Sequence, residues 1–105
     1  VPRGTLTDAA RRGKALFEGR AGCAACHPHP TFTTGKQADP GLGTSVQYDI
    51  PSLVEVWRTA PYLHSGEAIT LRAAVIDHNF LQRRGRTREL TEQEVEDLLA
   101  YVRSL

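Results

Sequence analysis

Apolar residues recur at helical spacing in several segments of the chain, and the clearest pattern lies at its end. The stretch TEQEVEDLLAYVRSL opens with Thr91 and Glu94 three residues apart, which is the spacing of a capping box. Its apolar stripe follows at helical spacing: Val95, Leu98, Leu99 and Val102. This pattern predicts a terminal helix.

A second helix is predicted near the start, in LTDAARRGKALFEGRAG. Four apolar residues fall on or near one face of it: Leu6, Ala10, Leu16 and Phe17. Thr7 or Asp8 can cap this helix, and Gly19 and Gly22 end it.

The middle of the chain predicts two shorter helices separated by loops. IPSLVEVWRTAPY favours a helix from about Ser52 to Thr59, which ends ahead of Pro61. TLRAAVIDHNF favours another, with Thr70 as its cap. Residues 28 to 50 are rich in proline and glycine and lack a helical period, which indicates a long loop of the kind that is often functional or wraps around something. No segment alternates as a strand does, so we expect one all-α domain over residues 1–105 with about four helices.

Composition narrows the possible functions. Apolar residues make up 40% of the chain and aromatic residues 7%, so a buried cofactor would supply apolar surface that the side chains lack. The net charge of +1 does not by itself indicate binding to nucleic acid or to an anionic membrane. No apolar run approaches the roughly 20 residues of a membrane-spanning helix, so a soluble protein is expected. A start at Val1 without a signal peptide suggests a mature or excised fragment.

The segment GRAGCAACHPHPTFT holds Cys23, Cys26 and His27, which point to three kinds of site. A redox disulfide is expected in a βαβ unit, and the sequence pattern predicts none. A zinc site needs a second pair of ligands at suitable spacing, which the sequence also lacks. C-x-x-C-H is the attachment signature of c-type haem, because two thiols one turn apart can bond its two vinyl groups while the next residue directs its imidazole at the iron. The order of helix, motif, loop and terminal helix is that of small c-type cytochromes. We therefore predict a class I-like cytochrome c fold around one covalently attached haem c.

His27 is predicted to bind the iron through Nε2, and its Nδ1–H then needs an acceptor that fixes the tautomer and the ring plane. The carbonyl of Pro28 or Pro30 is the candidate, although both prolines can equally serve only to shape the turn.

The ligand on the opposite face of the iron is not a methionine, because the chain has none. The candidates are His29, His64 and His78. His29 lies two residues past His27 and cannot easily reach the far side of the haem. His78 falls on the apolar face of the helix after Thr70, which also carries Leu71, Ala74 and Val75. A lone histidine on such a face is commonly a core residue, but an iron without a sixth ligand favours ligation.

From about Ile50 to Val75 the chain resembles the electron-transfer domain of the di-haem cytochrome c peroxidase and MauG-like group. The segments TAPYLHSG, TL and AAV carry the resemblance, as do the earlier CHPHPTFT and GLGT. The resemblance implies that His78 occupies the position of an axial methionine, so the iron has His27 and His78 as ligands. It also implies that His64 is a pocket residue near the haem, with ligation by His64 as the second possibility.

Trp57 and Tyr62 lie in the same segment and are expected among the haem-binding residues. Trp57 is interpreted first as packing against the haem or in the core, and second as an electron relay. The group's members carry two haems, whereas this chain has one C-x-x-C-H motif.

Two nitrogen ligands leave no open position on the iron, which predicts a low-spin electron-transfer domain without catalytic residues. Its expected partner is a redox protein or a neighbouring haem domain. The alternatives are a peroxidase-like or gas-binding haem from which His78 dissociates, and a haem module that mainly supports assembly of a larger protein. The RRGRTR cluster could steer an acidic partner or be a solvated loop. In bacteria with proteins of the group that the chain resembles, haem is attached to C-x-x-C-H outside the cytoplasmic membrane. The resemblance therefore implies a periplasmic, cell-surface or extracellular location.

Overall fold

Two α-helices, one near each end of the chain, cross near their middles. The computed structural model describes residues 5–41, 47–60, 62–63, 70–77, 79 and 85–105. In chain order, the described elements are α1 (Asp8–Glu18), a 3₁₀ turn (Cys23–Ala25), β1 (Gln37–Ala38), β2 (Tyr48–Asp49), a second 3₁₀ turn (Val56–Arg58), a π-helical turn (Ala73–Asp77) and α2 (Glu92–Arg103).

Both predicted terminal helices form, and both are capped as the sequence indicates. The Ala10 amide donates to the Thr7 hydroxyl at 3.1 Å, which satisfies one of the free donors at the start of α1. At α2 both halves of the capping box are present: the Glu94 amide donates to the Thr91 hydroxyl, and the Thr91 amide donates to the Glu94 carboxylate. The predicted stripe of α2 is buried in full.

The crossing of α1 and α2 depends on a glycine. A Cβ placed on Gly13 would lie 1.8 Å from the carbonyl oxygen of Asp97, so only glycine permits this approach. Beside it, the Phe17 and Tyr101 rings meet edge to face with their centroids 5.2 Å apart. Arg12 donates two hydrogen bonds, at 2.9 and 3.1 Å, to the buried Asp97 carboxylate. The contact is thus fixed by a close backbone approach, an aromatic pair and a bidentate ion pair.

The two middle helices differ from their predictions. Between Ser52 and Thr59 only the 3₁₀ turn of Val56–Arg58 forms, because Glu55 has a φ of 55° and a left-handed residue cannot continue an α-helix. The helix after Thr70 is present and capped, since the Ala73 amide donates to the Thr70 hydroxyl, but it widens into a π-helical turn over Ala73–Asp77.

A small antiparallel ladder modifies the all-α prediction to a mostly helical fold. Gln37 pairs with Asp49, and Ala38 pairs with Tyr48. Strands of two residues are too short to show an alternating pattern, so the sequence gives no sign of them. None of the described helices is long and apolar enough to cross a membrane.

Candidate functional site

The two cysteines lie on a single tight turn that begins at Gly22. Gly22 has a φ of 70°, a left-handed conformation that directs the chain out of α1 and into the turn. The carbonyl of Cys23 accepts from the amides of Cys26, at 3.2 Å, and His27, at 3.0 Å. Both cysteines are free thiols. The turn therefore brings two thiols and the following imidazole into one short stretch of backbone.

The Cys23 thiol is covered by the segment around Gly85, which the sequence did not indicate. A Cβ on Gly85 would lie 3.2 Å from the Cys23 sulfur, and Gly85 has a φ of 112°. The Arg86 amide donates to the carbonyl of Ala21 at 2.7 Å, and the Asn79 side chain donates to the Gly85 carbonyl at 2.8 Å. Burial raises the pKa of Cys23 to about 11, so the group is held as the neutral thiol.

The acceptor for His27 is the carbonyl of Phe32, which lies 2.7 Å from Nδ1. The prediction that Pro28 or Pro30 supplies this acceptor is wrong. The Pro28 carbonyl is engaged elsewhere, since it accepts from the Phe32 amide at 2.7 Å and closes the turn between them. Phe32 has a φ of 56°, an uncommon conformation for an aromatic residue, and this conformation accompanies the approach of its carbonyl to the imidazole.

His27 is held in the form that a metal ion requires. Burial lowers its pKa, against the opposing effects of the Phe32 and Pro51 carbonyls, so the imidazole is neutral at pH 7. With the proton on Nδ1 and directed to the Phe32 carbonyl, the lone pair lies on Nε2. This is the tautomer predicted for an iron ligand.

The loop that carries Phe32 is fastened on two sides. Its ring is buried at 7% exposure, with centroids 6.0 Å from Phe17 and 6.5 Å from Tyr101. On the other side the Leu53 amide donates to the Phe32 carbonyl at 3.3 Å. Hydroxyl bonds from Thr33 to the Ile50 carbonyl and from Ser52 to the Thr31 carbonyl join the same two segments. The acceptor of His27 is therefore tied to both the helix crossing and the 50–54 segment.

The remaining candidate residues lie in different settings. His29 is exposed and meets Phe32 edge to face at 5.8 Å. The Tyr62 hydroxyl donates to the Val56 carbonyl at 3.0 Å, and its ring is half-buried against the core. Trp57 is 39% exposed, so its interpretation as a core residue is wrong, while haem packing stays a prediction. His64 and His78 lie outside the described residues.

No cluster of three histidine, cysteine or carboxylate side chains that could hold a metal ion occurs in the described part of the chain. Arg83 and Arg84 of the basic cluster lie outside it, whereas Arg86 and Arg88 are described and exposed. The Arg86 guanidinium donates to the Arg20 carbonyl at 3.4 Å, so it fastens the segment that covers Cys23.

The sequence family of cytochrome c matches residues 10–105 of the chain. This match agrees with the C-x-x-C-H turn, the neutral His27 and the crossed terminal helices. The chain belongs to the cytochrome c family. Membership of this family implies a covalently bound haem c.

The predicted resemblance of this cytochrome domain to MauG and cytochrome c peroxidases is confirmed. The methylamine utilization protein MauG of Methylorubrum extorquens is 34% identical, over 91% of the chain and 34% of the relative. The cytochrome-c peroxidase IdrP1 of Denitromonas iodatirespirans is 29% identical, over 98% of the chain and 42% of the relative. The chain thus spans between about a third and two fifths of the length of these relatives.

Two solved structures share the fold of the cytochrome domain. A MauG-like protein associated with microbial copper homeostasis superposes with a TM-score of 0.77 at 23% identity, over 96% of this chain and 47% of that one. A hydrazine synthase chain from Kuenenia stuttgartiensis gives 0.80 at 25% identity, over 100% and 48%. The cytochrome c fold is confirmed, while the count of four helices and the class I-like detail stay predictions.

The described side chains fit a covalently attached haem. Cys23 and Cys26 are both free thiols three residues apart on one turn, and the segment around Gly85 covers Cys23. His27 is neutral and has its lone pair on the nitrogen away from Phe32. The donor set therefore supplies two sulfur attachment points and one nitrogen ligand.

Proposed function

We propose that the chain is an electron-transfer domain with one low-spin haem c, whose axial ligands are His27 and His78. The observation that carries the proposal is the hydrogen bond from His27 Nδ1 to the Phe32 carbonyl, because it leaves Nε2 as the ligand beside two free thiols. The choice of His78 is supported by the sequence, which has no methionine, and by its position in the resemblance to the peroxidase and MauG-like group.

In this proposal Cys23 and Cys26 form the thioether attachments and His27 is the proximal ligand. Bound there, the haem supplies a one-electron couple. The chain's own contribution is to keep the ligand geometry constant: Phe32 fixes the tautomer of His27, and its buried ring resists rotation of the loop. A second nitrogen ligand in place of methionine sulfur lowers the reduction potential and leaves no position for peroxide or oxygen.

The place of the domain in the cell and its partner are part of the same proposal. Covalent haem attachment of this kind supports a periplasmic, cell-surface or extracellular bacterial location. The partner is a redox protein or a neighbouring haem domain, and residues 1–105 act as one mono-haem domain. The greater length of the relatives is consistent with a neighbouring domain.

A second candidate function is favoured by one observation, the name of the relative IdrP1, a cytochrome-c peroxidase. In this alternative His78 dissociates and the iron becomes open to a ligand. Cyanide and carbon monoxide distinguish the two functions: an electron carrier binds them slowly or not at all, whereas rapid binding contradicts the bis-histidine carrier.

Spectroscopy of haem-loaded histidine variants tests the ligand set. The wild-type protein is expected to be low-spin in both oxidation states, and His78→Ala is expected to become high-spin. His64→Ala and His29→Ala are the matched controls and are expected to stay low-spin. A low-spin His78→Ala together with a high-spin His64→Ala would assign the sixth ligand to His64.

A further inference from the structure

Two side-chain hydroxyls join the loop after the C-x-x-C-H motif to the segment 50–54, and the proposed function gives neither of them a role. Thr33 donates to the Ile50 carbonyl, and Ser52 donates in the opposite direction, to the Thr31 carbonyl. These two bonds are called the hydroxyl bridges below. Because one bridge starts from each segment, they hold the two segments together and prevent them from sliding along each other.

Each bridging hydroxyl is also fixed within its own segment. The Thr33 hydroxyl accepts from the Gly35 amide at 3.1 Å, and the Ser52 hydroxyl accepts from the Val54 amide at 3.1 Å. A bond from an amide two residues further along is that of a serine or threonine turn. Each hydroxyl therefore accepts within its segment and donates to the other one.

The hydroxyl bridges flank the two peptide groups that meet at the carbonyl oxygen of Phe32. This oxygen belongs to the planar peptide between Phe32 and Thr33, and it accepts at 3.3 Å from the Leu53 amide, which belongs to the peptide after Ser52. The same oxygen lies 2.7 Å from Nδ1 of His27. A carbonyl oxygen has two lone pairs, so the Leu53 amide takes one while the other stays directed at the imidazole.

We propose that Thr33 and Ser52 are positioning residues for the haem: the hydroxyl bridges fix the orientation of the Phe32 carbonyl, which strengthens its hydrogen bond with His27 and lowers the reduction potential. This inference rests on the proposed electron-transfer function, in which His27 binds the iron. Thr33 and Ser52 act through the Phe32 carbonyl.

The direction of the effect follows from the charges of the two oxidation states. A hydrogen bond from Nδ1–H to a well-directed carbonyl makes the imidazole a stronger electron donor to the iron. Ferric iron carries one more positive charge than ferrous iron, so a stronger donor stabilises the ferric state more and lowers the potential. Loss of either bridge is therefore expected to raise the potential.

Redox titration of the haem-loaded protein tests this expectation. Thr33→Val keeps the shape of the side chain but removes its hydroxyl, and Ser52→Ala removes the other hydroxyl; each is expected to raise the midpoint potential. Thr33→Ser keeps the hydroxyl and is expected to have the wild-type potential. Thr34→Val is the matched control, because the Thr34 hydroxyl accepts from the Lys36 amide at 3.3 Å, a bond within the same loop, and its loss is expected to leave the potential unchanged.

Three results of the titration would overturn the proposal. The first is a potential equal to that of Thr34→Val in both bridge variants. The second is a fall in the potential, which would mean that the Leu53 amide draws the Phe32 carbonyl away from His27. The third is an equal rise in Thr33→Ser and Thr33→Val, which would make the methyl group and not the hydroxyl the cause.

Nuclear magnetic resonance separates positioning from a general loss of stability. In the ¹⁵N-labelled ferrous protein, which is diamagnetic when low-spin, the Nδ1–H resonance of His27 is expected to move upfield in Thr33→Val and Ser52→Ala as the hydrogen bond weakens. In Thr34→Val it is expected to keep its wild-type position. The chemical shift is measured on the folded protein, so a lower stability alone does not move it. An unmoved resonance in the bridge variants contradicts the positioning role.

The wild-type spectrum distinguishes a failure of this inference from a failure of the proposed function. If the wild-type haem is not low-spin, or if the Nδ1–H resonance of His27 lacks the upfield shift that the haem ring current gives an axial ligand, the proposed coordination is wrong. A low-spin wild-type protein whose bridge variants behave like Thr34→Val counts against Thr33 and Ser52 alone.

Discussion

The carbonyl of Phe32 lies 2.7 Å from Nδ1 of His27, and the residue that provides this carbonyl has its ring in the core between the two terminal helices. Phe32 has a φ of 56°. In this conformation its ring packs against Phe17 while its carbonyl is directed at the His27 imidazole. Phe32 therefore links the packing of the helices to the orientation of the His27 imidazole.

Removal of the Phe32 ring is expected to lower the free energy of unfolding by about 3 to 5 kcal/mol, the range for truncation of a buried phenylalanine. Phe32→Gly is expected to be about 1 kcal/mol more stable than Phe32→Ala, because glycine adopts the positive φ without strain. Denaturant unfolding of both haem-loaded variants measures this. If the alanine variant is the more stable, the left-handed conformation at this position is not required.

Substitution of Gly13 is expected to disrupt the helix crossing. A Cβ there would lie 1.8 Å from the Asp97 carbonyl oxygen, so Gly13→Ala must push α1 and α2 apart, with an expected loss of about 3 kcal/mol or more. Gly35→Ala is the control, since no atom lies within 4 Å of a Cβ there and only its φ of 74° is unfavourable, at a cost of about 1 kcal/mol. Thermal unfolding that ranks the two equally would contradict the close crossing.

The Arg12–Asp97 pair predicts a dependence of stability on pH. The hydrogen bonds from Arg12 hold the pKa of Asp97 below its ordinary value of 3.8. The pair therefore stabilises the fold fully above pH 3.8, and this contribution is lost as the pH falls through the lower folded-state pKa.

Asp97→Asn is expected to be less stable than the wild type at pH 7, with the difference shrinking below pH 3.8. Urea unfolding at a series of pH values measures the difference, and the comparison with wild type cancels effects that both proteins share, such as loss of the haem ligand. Glu89→Gln is the control, because it makes the same carboxylate-to-amide change at an exposed position. A difference that is constant with pH would show that the pair is not the cause.

Gly85→Ala is expected to loosen the cover over Cys23. The added Cβ would lie 3.0 Å from the Ala21 carbonyl oxygen and 3.2 Å from the Cys23 sulfur, at a φ of 112°. A loss of about 2 kcal/mol is expected from the backbone conformation and the crowding together. Unfolding measurements beside Gly35→Ala, at a φ of 74° and without close neighbours, compare this loss with that at an uncrowded glycine of positive φ. Identical losses would mean that the segment moves away from Cys23 freely.

The terminal helices could be predicted because their signals are local: Thr7, Thr91 and Glu94 cap the residues that immediately follow them. The acceptor of His27 could not, since it depends on how the Phe32 ring packs against residues far along the chain. The same holds for Gly85, which covers Cys23 from about sixty positions away in the sequence. The exposure of Trp57 could not be predicted either, because an apolar residue near other apolar residues has the same sequence pattern whether its side chain lies in the core or at the surface.

With His27 as the proposed iron ligand, the position of Phe32 links redox state and folding thermodynamically. A substitution that shifts its ring also shifts the carbonyl that polarises His27, and the ferric and ferrous forms respond unequally to that change. Mutations at the helix crossing, with no contact to the iron, are therefore expected to move the midpoint potential, and the oxidised and reduced proteins are expected to unfold at different denaturant concentrations.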